Sequence, residues 1–179
     1  MKNPTFVCLH HTAVSYDKNK DQFSANNLYH KSQWNFKSSL GYYLGYNYEI
    51  AKNGDVKQAR EDGEATAACY QENMNDGRCI HIALDGNFDT EKPQANQIYA
   101  LRDLVRKLVK EHGIKKENIV FHNHYAPKSC PGNNLDLNFV RSFAYPDAVV
   151  PEGSTPDTSS VKDQIIKLLQ NAIELLNKL

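Results

Sequence analysis

Within twelve residues, FHNHYAPKSCPG at 121–132, the chain gathers two histidines, a lysine and a cysteine. Imidazole nitrogen and thiolate sulfur are donors that zinc favours, and a catalytic zinc takes three protein ligands and leaves a fourth position for water. His122 or His124 together with Cys130 supplies two such ligands from one strand and the loop after it. A third must come from elsewhere, and His10 or His11, in LHHTA at 9–13, ends another predicted strand. Side chains alternate across a strand, so only one of these two can aim at a given site. Any one of the seven histidines, taken singly, is more often solvated or simply hydrogen-bonded than a ligand. The combination with a cysteine is what points to a metal.

The elements that must position these residues are legible as patterns. TFVCLHHTA reads as a buried strand around Val7 and Leu9, and residues 21–34 as a helix. GYYLGYNYEIAKNGDVKQAR reads as a hairpin whose tight two-residue turn is Asn53-Gly54, the residue types that accept positive φ. CIHIALDG at 79–86 is a further strand ending in a turn. From Gln94 to His112 the apolar residues Ile98, Leu101, Val105, Leu108 and Val109 fall at helical spacing, with Pro93 near the start. NIVFHNH is a strand, and a short helix runs to Val140 and Phe143. This order implies an α/β fold, a mixed central β-sheet flanked by helices.

Composition bounds the rest. Acidic and basic residues number 21 each, so no field of one sign invites nucleic acid. The start, MKNPTFVCLHH, lacks the pattern of a secretory signal, and no apolar run is long enough to span a bilayer. The expectation is a protein made in the cytoplasm, with its four cysteines read as thiols or metal ligands; a Cys69–Cys79 pair stays open if the protein leaves the cell. After Phe143 the composition changes. Residues 1–146 form the expected domain, 147–160 a linker rich in Pro, Ser and Thr, and 161–179 an amphipathic helix. In that helix Val161, Ile165, Leu168, Ala172, Leu175 and Leu179 step by fours and threes as a heptad seam, widened by Ile166, Leu169, Ile173 and Leu176. Such a face must be covered, by the domain itself, by a second copy in a homo-oligomer or by another partner. Lysines on its polar face are mixed with aspartate and glutamate, which argues against membrane adsorption.

Four ordered motifs, LHHTA at 9–13, LGYNYEIAKNGDV at 44–56, IALDGNF at 82–88 and HNHYAPKSCPG at 122–132, resemble the zinc-dependent N-acetylmuramoyl-L-alanine amidases of the type 2 family. That family includes amidase-type phage endolysins and peptidoglycan recognition proteins. The resemblance covers roughly residues 5–143 and implies a ligand set. The metal histidine opening the first motif falls on His10, and the one eight residues before the cysteine falls on His122, with Cys130 completing the site for one zinc ion. It also implies catalytic positions at Tyr46 and Lys128, and a weaker substrate-binding position at His30, before Trp34 in the first helix. In amide hydrolysis a cation or hydroxyl beside the tetrahedral oxyanion stabilises it, and the leaving amine needs a proton.

Two departures stand out. ATAACYQENMNDGRC, before the third motif, has alanines where family members commonly carry a histidine, and FKSSLGYYLGYN is longer than the usual connection. What the resemblance implies is cleavage of the amide between N-acetylmuramic acid and L-alanine in peptidoglycan, by a phage or prophage endolysin that reaches the cell wall after release. The rival readings are a non-catalytic peptidoglycan-binding or regulatory protein on the same fold, and an amidase of soluble muropeptides.

Overall fold

The computed structural model describes residues 1–15 and 21–144; the linker and terminal helix expected at 147–160 and 161–179 lie outside the described residues. Among the described residues five strands form one mixed sheet: β1 (Phe6–His11), β2 (Tyr48–Ile50), β3 (Val56–Gln58), β4 (Cys79–Leu84) and β5 (Ile119–Phe121), in the order β3-β2-β4-β1-β5. β1 lies parallel to β4 and β5, β2 lies parallel to β4, and only β3 is antiparallel. The α-helices among the described residues are α1 (Gln22–Trp34), α2 (Ala95–His112) and α3 (Leu137–Ala144). Among the described residues no helix is long and apolar enough to cross a membrane.

The register sorts the sheet into two unlike faces. Val7 pairs with Ile80 and Ile119, Leu9 with Ile82 and Phe121, and Tyr48 with Ile82. These side chains, with Ile50 and Leu84, pack on Leu101, Leu104, Val105 and Leu108 of α2 and on Val140 and Phe143 of α3. Each fully buried aliphatic side chain there contributes about 1.5–3 kcal/mol relative to exposure. On the opposite face the same register sets Cys8 beside His81, His10 beside Ala83, and Glu49 beside Ala83. That face carries the polar chemistry.

α2 owes its bounds to its ends: Gln94 and Gln97 form a reciprocal capping box, and Gly113, at φ +66°, returns its N–H to the carbonyl of Val109. α1 starts on Asp21, whose carboxylate accepts from the N–H and hydroxyl of Ser24. Its buried residues, Phe23, Asn26 and His30, are mostly polar, because this helix covers the polar face of the sheet.

Three details differ from the sequence reading. The β2–β3 connection is a three-residue loop, Lys52–Gly54, closed by Ala51 N–H to Asp55 O and Gly54 N–H to Ala51 O. Gly54 alone there takes positive φ, at +94°, so the geometry is a turn followed by a left-handed glycine instead of the tight two-residue turn. The last strand stops at Phe121, and His122–His124 form one turn of 3₁₀ helix. Tyr46 stands two residues before β2, in the bend that leads into it. All four cysteines are free thiols, including Cys69 and Cys79, which share one buried cluster.

Candidate metal centre and substrate groove

The C-terminal end of β1, the turn after β5 and the loop at 128–132 meet on the polar face. There the donor atoms of His10, His122 and Cys130 all lie within 4.8 Å of one another. His10 Nδ1 is 3.7 Å from Cys130 Sγ. His10 and His122 are buried, and their rings sit 4.6 Å apart. His11 points to the other face, where its Nδ1 accepts from the N–H of Phe88. His124 is exposed and stays with the backbone of Phe121, outside the cluster. The alternation argument and the ambiguity at 122 and 124 thus resolve to one member of each pair.

The cysteine loop is gripped by the turn after β4. Asp89 accepts from the Ser129 hydroxyl at 2.6 Å and from the Asn133 N–H at 3.3 Å, and Phe88 O accepts from Asn134 N–H at 2.9 Å. Gly132, at φ +101°, crosses this turn so closely that a Cβ would meet the backbone carbonyl carbon of Phe88 at 2.5 Å. That contact explains why glycine follows the Cys-Pro pair.

The electrostatics suit a cation. Burial, followed by the facing imidazoles of His81 and His122, holds His10 well below the usual histidine range. Burial and then the charge of Lys128 bring His122 down to about 4. Both rings are therefore neutral donors. The Cys130 thiol is pushed up to about 12, chiefly by burial, so a thiolate here calls for a positive partner within bonding distance. Two neutral imidazoles and one thiol match the donor set of a three-ligand zinc site.

Tyr46 lies over this cluster, its ring 5.1 Å from that of His10 and 5.5 Å from that of His30. Burial, then the neighbouring Cys130, drives its phenol far above the ordinary tyrosine range, so the hydroxyl keeps its proton. Several residues hold the bend that presents it. His30 Nδ1 accepts from Gly45 N–H at 2.9 Å, and Asn27 Oδ1 accepts from the N–H groups of Tyr43 and Leu44. The buried Arg60 donates to the carbonyls of Leu44, Phe36 and Ala65, tying the long connection down. The His30 ring lies 4.7 Å from that of Trp34, tilted by 44°, and with Tyr29, Trp34, Gln33 and Tyr46 it lines a groove of about 520 Å³. Lys128 is exposed, and its charge reaches both His10 and His122.

The model of the N-acetylmuramoyl-L-alanine amidase family, Amidase_2, matches residues 1–133. The chain belongs to that family. No curated protein matches the sequence. Among solved structures, the amidase LysC from Clostridium intestinale is 25% identical with a TM-score of 0.62, over 78% of this chain and 84% of that one. The Ph2119 endolysin of a Thermus scotoductus bacteriophage is 21% identical with a TM-score of 0.63, over 80% and 86%. Drosophila PGRP-SA is 21% identical with a TM-score of 0.64, over 79% of each chain. At those last two identities the likeness is one of fold. The amidase fold is thus shared with both lytic enzymes and recognition proteins.

Some residues of this amidase-family site were not singled out from the sequence. His81 touches His10, Asn47 joins the Tyr46 bend to β4, and Glu49 and Asp85 form a buried carboxylate pair beside α1. The available signal for His81 is alternation in CIHIALDG, which puts it on one face with Cys79 and Ala83; the strand register that sets it against Cys8 is a long-range fact.

Proposed function

We propose that this chain is a zinc-dependent amidase that hydrolyses the bond between the lactyl group of N-acetylmuramic acid and the L-alanine of the stem peptide, acting on the cell wall as a phage or prophage endolysin. The observation that carries the reading is the convergence of His10, His122 and Cys130 within 4.8 Å, with Tyr46 standing between His10 and the groove that it helps to line. A recognition protein needs the groove; it does not need a complete three-donor set.

His10, His122 and Cys130 would hold the ion, which when bound supplies a Lewis acid for the scissile carbonyl and a nucleophile at neutral pH. Tyr46, held protonated by burial, donates a hydrogen bond towards the oxyanion. Lys128 adds positive charge at the same mouth, where charge develops as the carbonyl is attacked. His30 accepts at Nδ1 from Gly45, so its neutral ring bears its proton on Nε2 and offers a donor beside the groove. The faces of Tyr29 and Trp34, both partly exposed, offer apolar surface to the sugar and stem.

The test is incubation of the zinc-loaded protein with purified sacculi, counting new L-alanine amino termini, beside His122→Ala and a chelated sample. Termini that appear with wild type and vanish in both controls are expected. Sacculus binding without new termini would move the reading to a non-catalytic wall-binding protein, and turnover of soluble fragments alone would move it to muropeptide recycling.

A further inference from the structure

The fully buried His81 is not one of the three donors, yet it touches the site: its Nδ1 lies 2.9 Å from His10 Nε2, and its own Nε2 lies 3.0 Å from the carbonyl oxygen of Met74. We propose that His81 is a positioning residue that fixes which nitrogen of His10 faces the metal. The inference rests on the zinc reading above.

The chemistry of the groups dictates the direction of each bond. A backbone carbonyl only accepts, so His81 Nε2 carries the proton that meets Met74. In a neutral imidazole the other nitrogen is then a lone pair, so His81 Nδ1 accepts and His10 Nε2 donates. His10 Nδ1 is left unprotonated on the side where Cys130 Sγ stands 3.7 Å away. The lone pair thus points at the metal position before any metal arrives. The relay runs from a fixed carbonyl, through one histidine, to the ligand.

Both ends of the relay are anchored. His81 sits on β4 between β1 and β2, and its N–H donates to Asn47 Oδ1 at 2.8 Å. The Met74 carbonyl is set by the loop in which the chain departs from its family's usual pattern. There Asn75 Oδ1 gathers the Thr66 hydroxyl and the N–H groups of Ala68 and Cys69, Met74 N–H donates to Gln71 O, and Glu72 and Asn73 take positive φ. The buried Met74 side chain packs with Cys8, Cys69 and Cys79. This loop and His81 form one device.

Donor atoms of Cys8, His10 and His81 also lie within 4.8 Å, which raises the alternative of a second ion on the inner side. Two imidazole nitrogens on one tetrahedral zinc stand about 3.3 Å apart at zinc–nitrogen distances of about 2.0–2.1 Å. The observed 2.9 Å is the separation of a hydrogen bond.

The experiment measures zinc affinity of the full chain by competition with a chromophoric chelator, for wild type, His81→Leu and His81→Asn. Asparagine places Oδ1 close to where histidine Nδ1 stood, so it keeps the acceptor for His10. Expected are one zinc per chain, a loss of about 10–100-fold for His81→Leu, and affinity near wild type for His81→Asn. Long-range ¹H–¹⁵N NMR of the zinc-free wild type, which needs no variant to fold, should show both His10 and His81 as Nε2–H tautomers. Equal affinity in wild type and His81→Leu, equal losses in both variants, a His10 proton on Nδ1, or two zinc ions per chain would each overturn the inference. A wild type that takes up no zinc would overturn the zinc reading itself, and this inference with it.

Discussion

The two faces of the central sheet are built from the same strands, residue by residue in alternation, and they obey different rules. The face towards α2 and α3 is aliphatic, and its order comes from packing: Val7, Leu9, Ile80, Ile82 and Leu84 meet Leu101, Val105 and Leu108 with no polar atom to satisfy. The face towards α1 holds Cys8, His10, His81 and Glu49, and its order comes from hydrogen bonds that run from strand to strand and out to the loops. A single step in register would exchange the two sets. One face therefore fixes the register with non-directional burial, and the other uses that register to aim lone pairs.

If this division is right, substitutions on the two faces separate activity from stability. The largest effect is expected at the ligands. His122→Ala or Cys130→Ser should reduce release of L-alanine termini to background while leaving the zinc-free protein's melting curve close to wild type, because neither side chain belongs to the aliphatic core. Next comes Leu101→Ala on the far face, expected to cost about 2–5 kcal/mol of stability in urea unfolding with zinc affinity at native temperatures unchanged. Loss of zinc affinity in a folded Leu101→Ala protein would show that the faces are not separable. A smaller and more selective effect is expected from Tyr46→Phe, a loss of about 10²-fold in kcat with little change in KM, the signature of a donor used only in the transition state. An unchanged kcat would remove Tyr46 from the chemistry.

The aliphatic face was the more legible of the two. The helical spacing from Ile98 to Val109 and the apolar alternation of the strands are local patterns, and burial follows from them directly. On the site face the sequence pointed to the candidate ligands through residue type and motif order, and His10, His122 and Cys130 do come together. It did not reveal His81 or the Asn47 and Arg60 ties, because each depends on at least one contact between residues 14–71 positions apart. Nor did it place the end of β5 correctly. NIVFHNH continues a strand pattern, yet the chain turns at His122, and the carbonyl of His122 accepts from the N–H groups of Tyr125 and Ala126. Where a backbone follows a site's needs, local propensity is a poor guide.

The carboxylate pair beneath α1 gives the comparison its finest test, because it places charge where the opposite face tolerates none. Glu49 and Asp85 are both buried, and Glu49 Oε1 and Asp85 Oδ1 find no donor among the protein groups; one proton held between the two carboxylates would satisfy both. Burial, then the charge of Asp85, raises Glu49 above the usual carboxylate range, while Asn26 donates to its other oxygen at 2.8 Å. Asp85 is raised by burial, and Asp21, Lys52 and Lys57 also act on it, the lysines in the opposite sense. The folded protein therefore holds a proton that the unfolded chain has released above the ordinary carboxylate range. The pair's contribution is fully present below that range and is lost as pH rises through the raised folded value, at up to about 1.4 kcal/mol per pH unit for the one proton. Glu49→Gln keeps a donor towards Asp85 and takes no part in titration. Urea unfolding of wild type from pH 5 to 8 should therefore show stability declining more steeply than in Glu49→Gln, with the curves diverging towards alkaline pH. Parallel curves would mean that the pair ionises as solvated carboxylates do, and that the polar face tolerates charge more freely than its hydrogen bonds suggest.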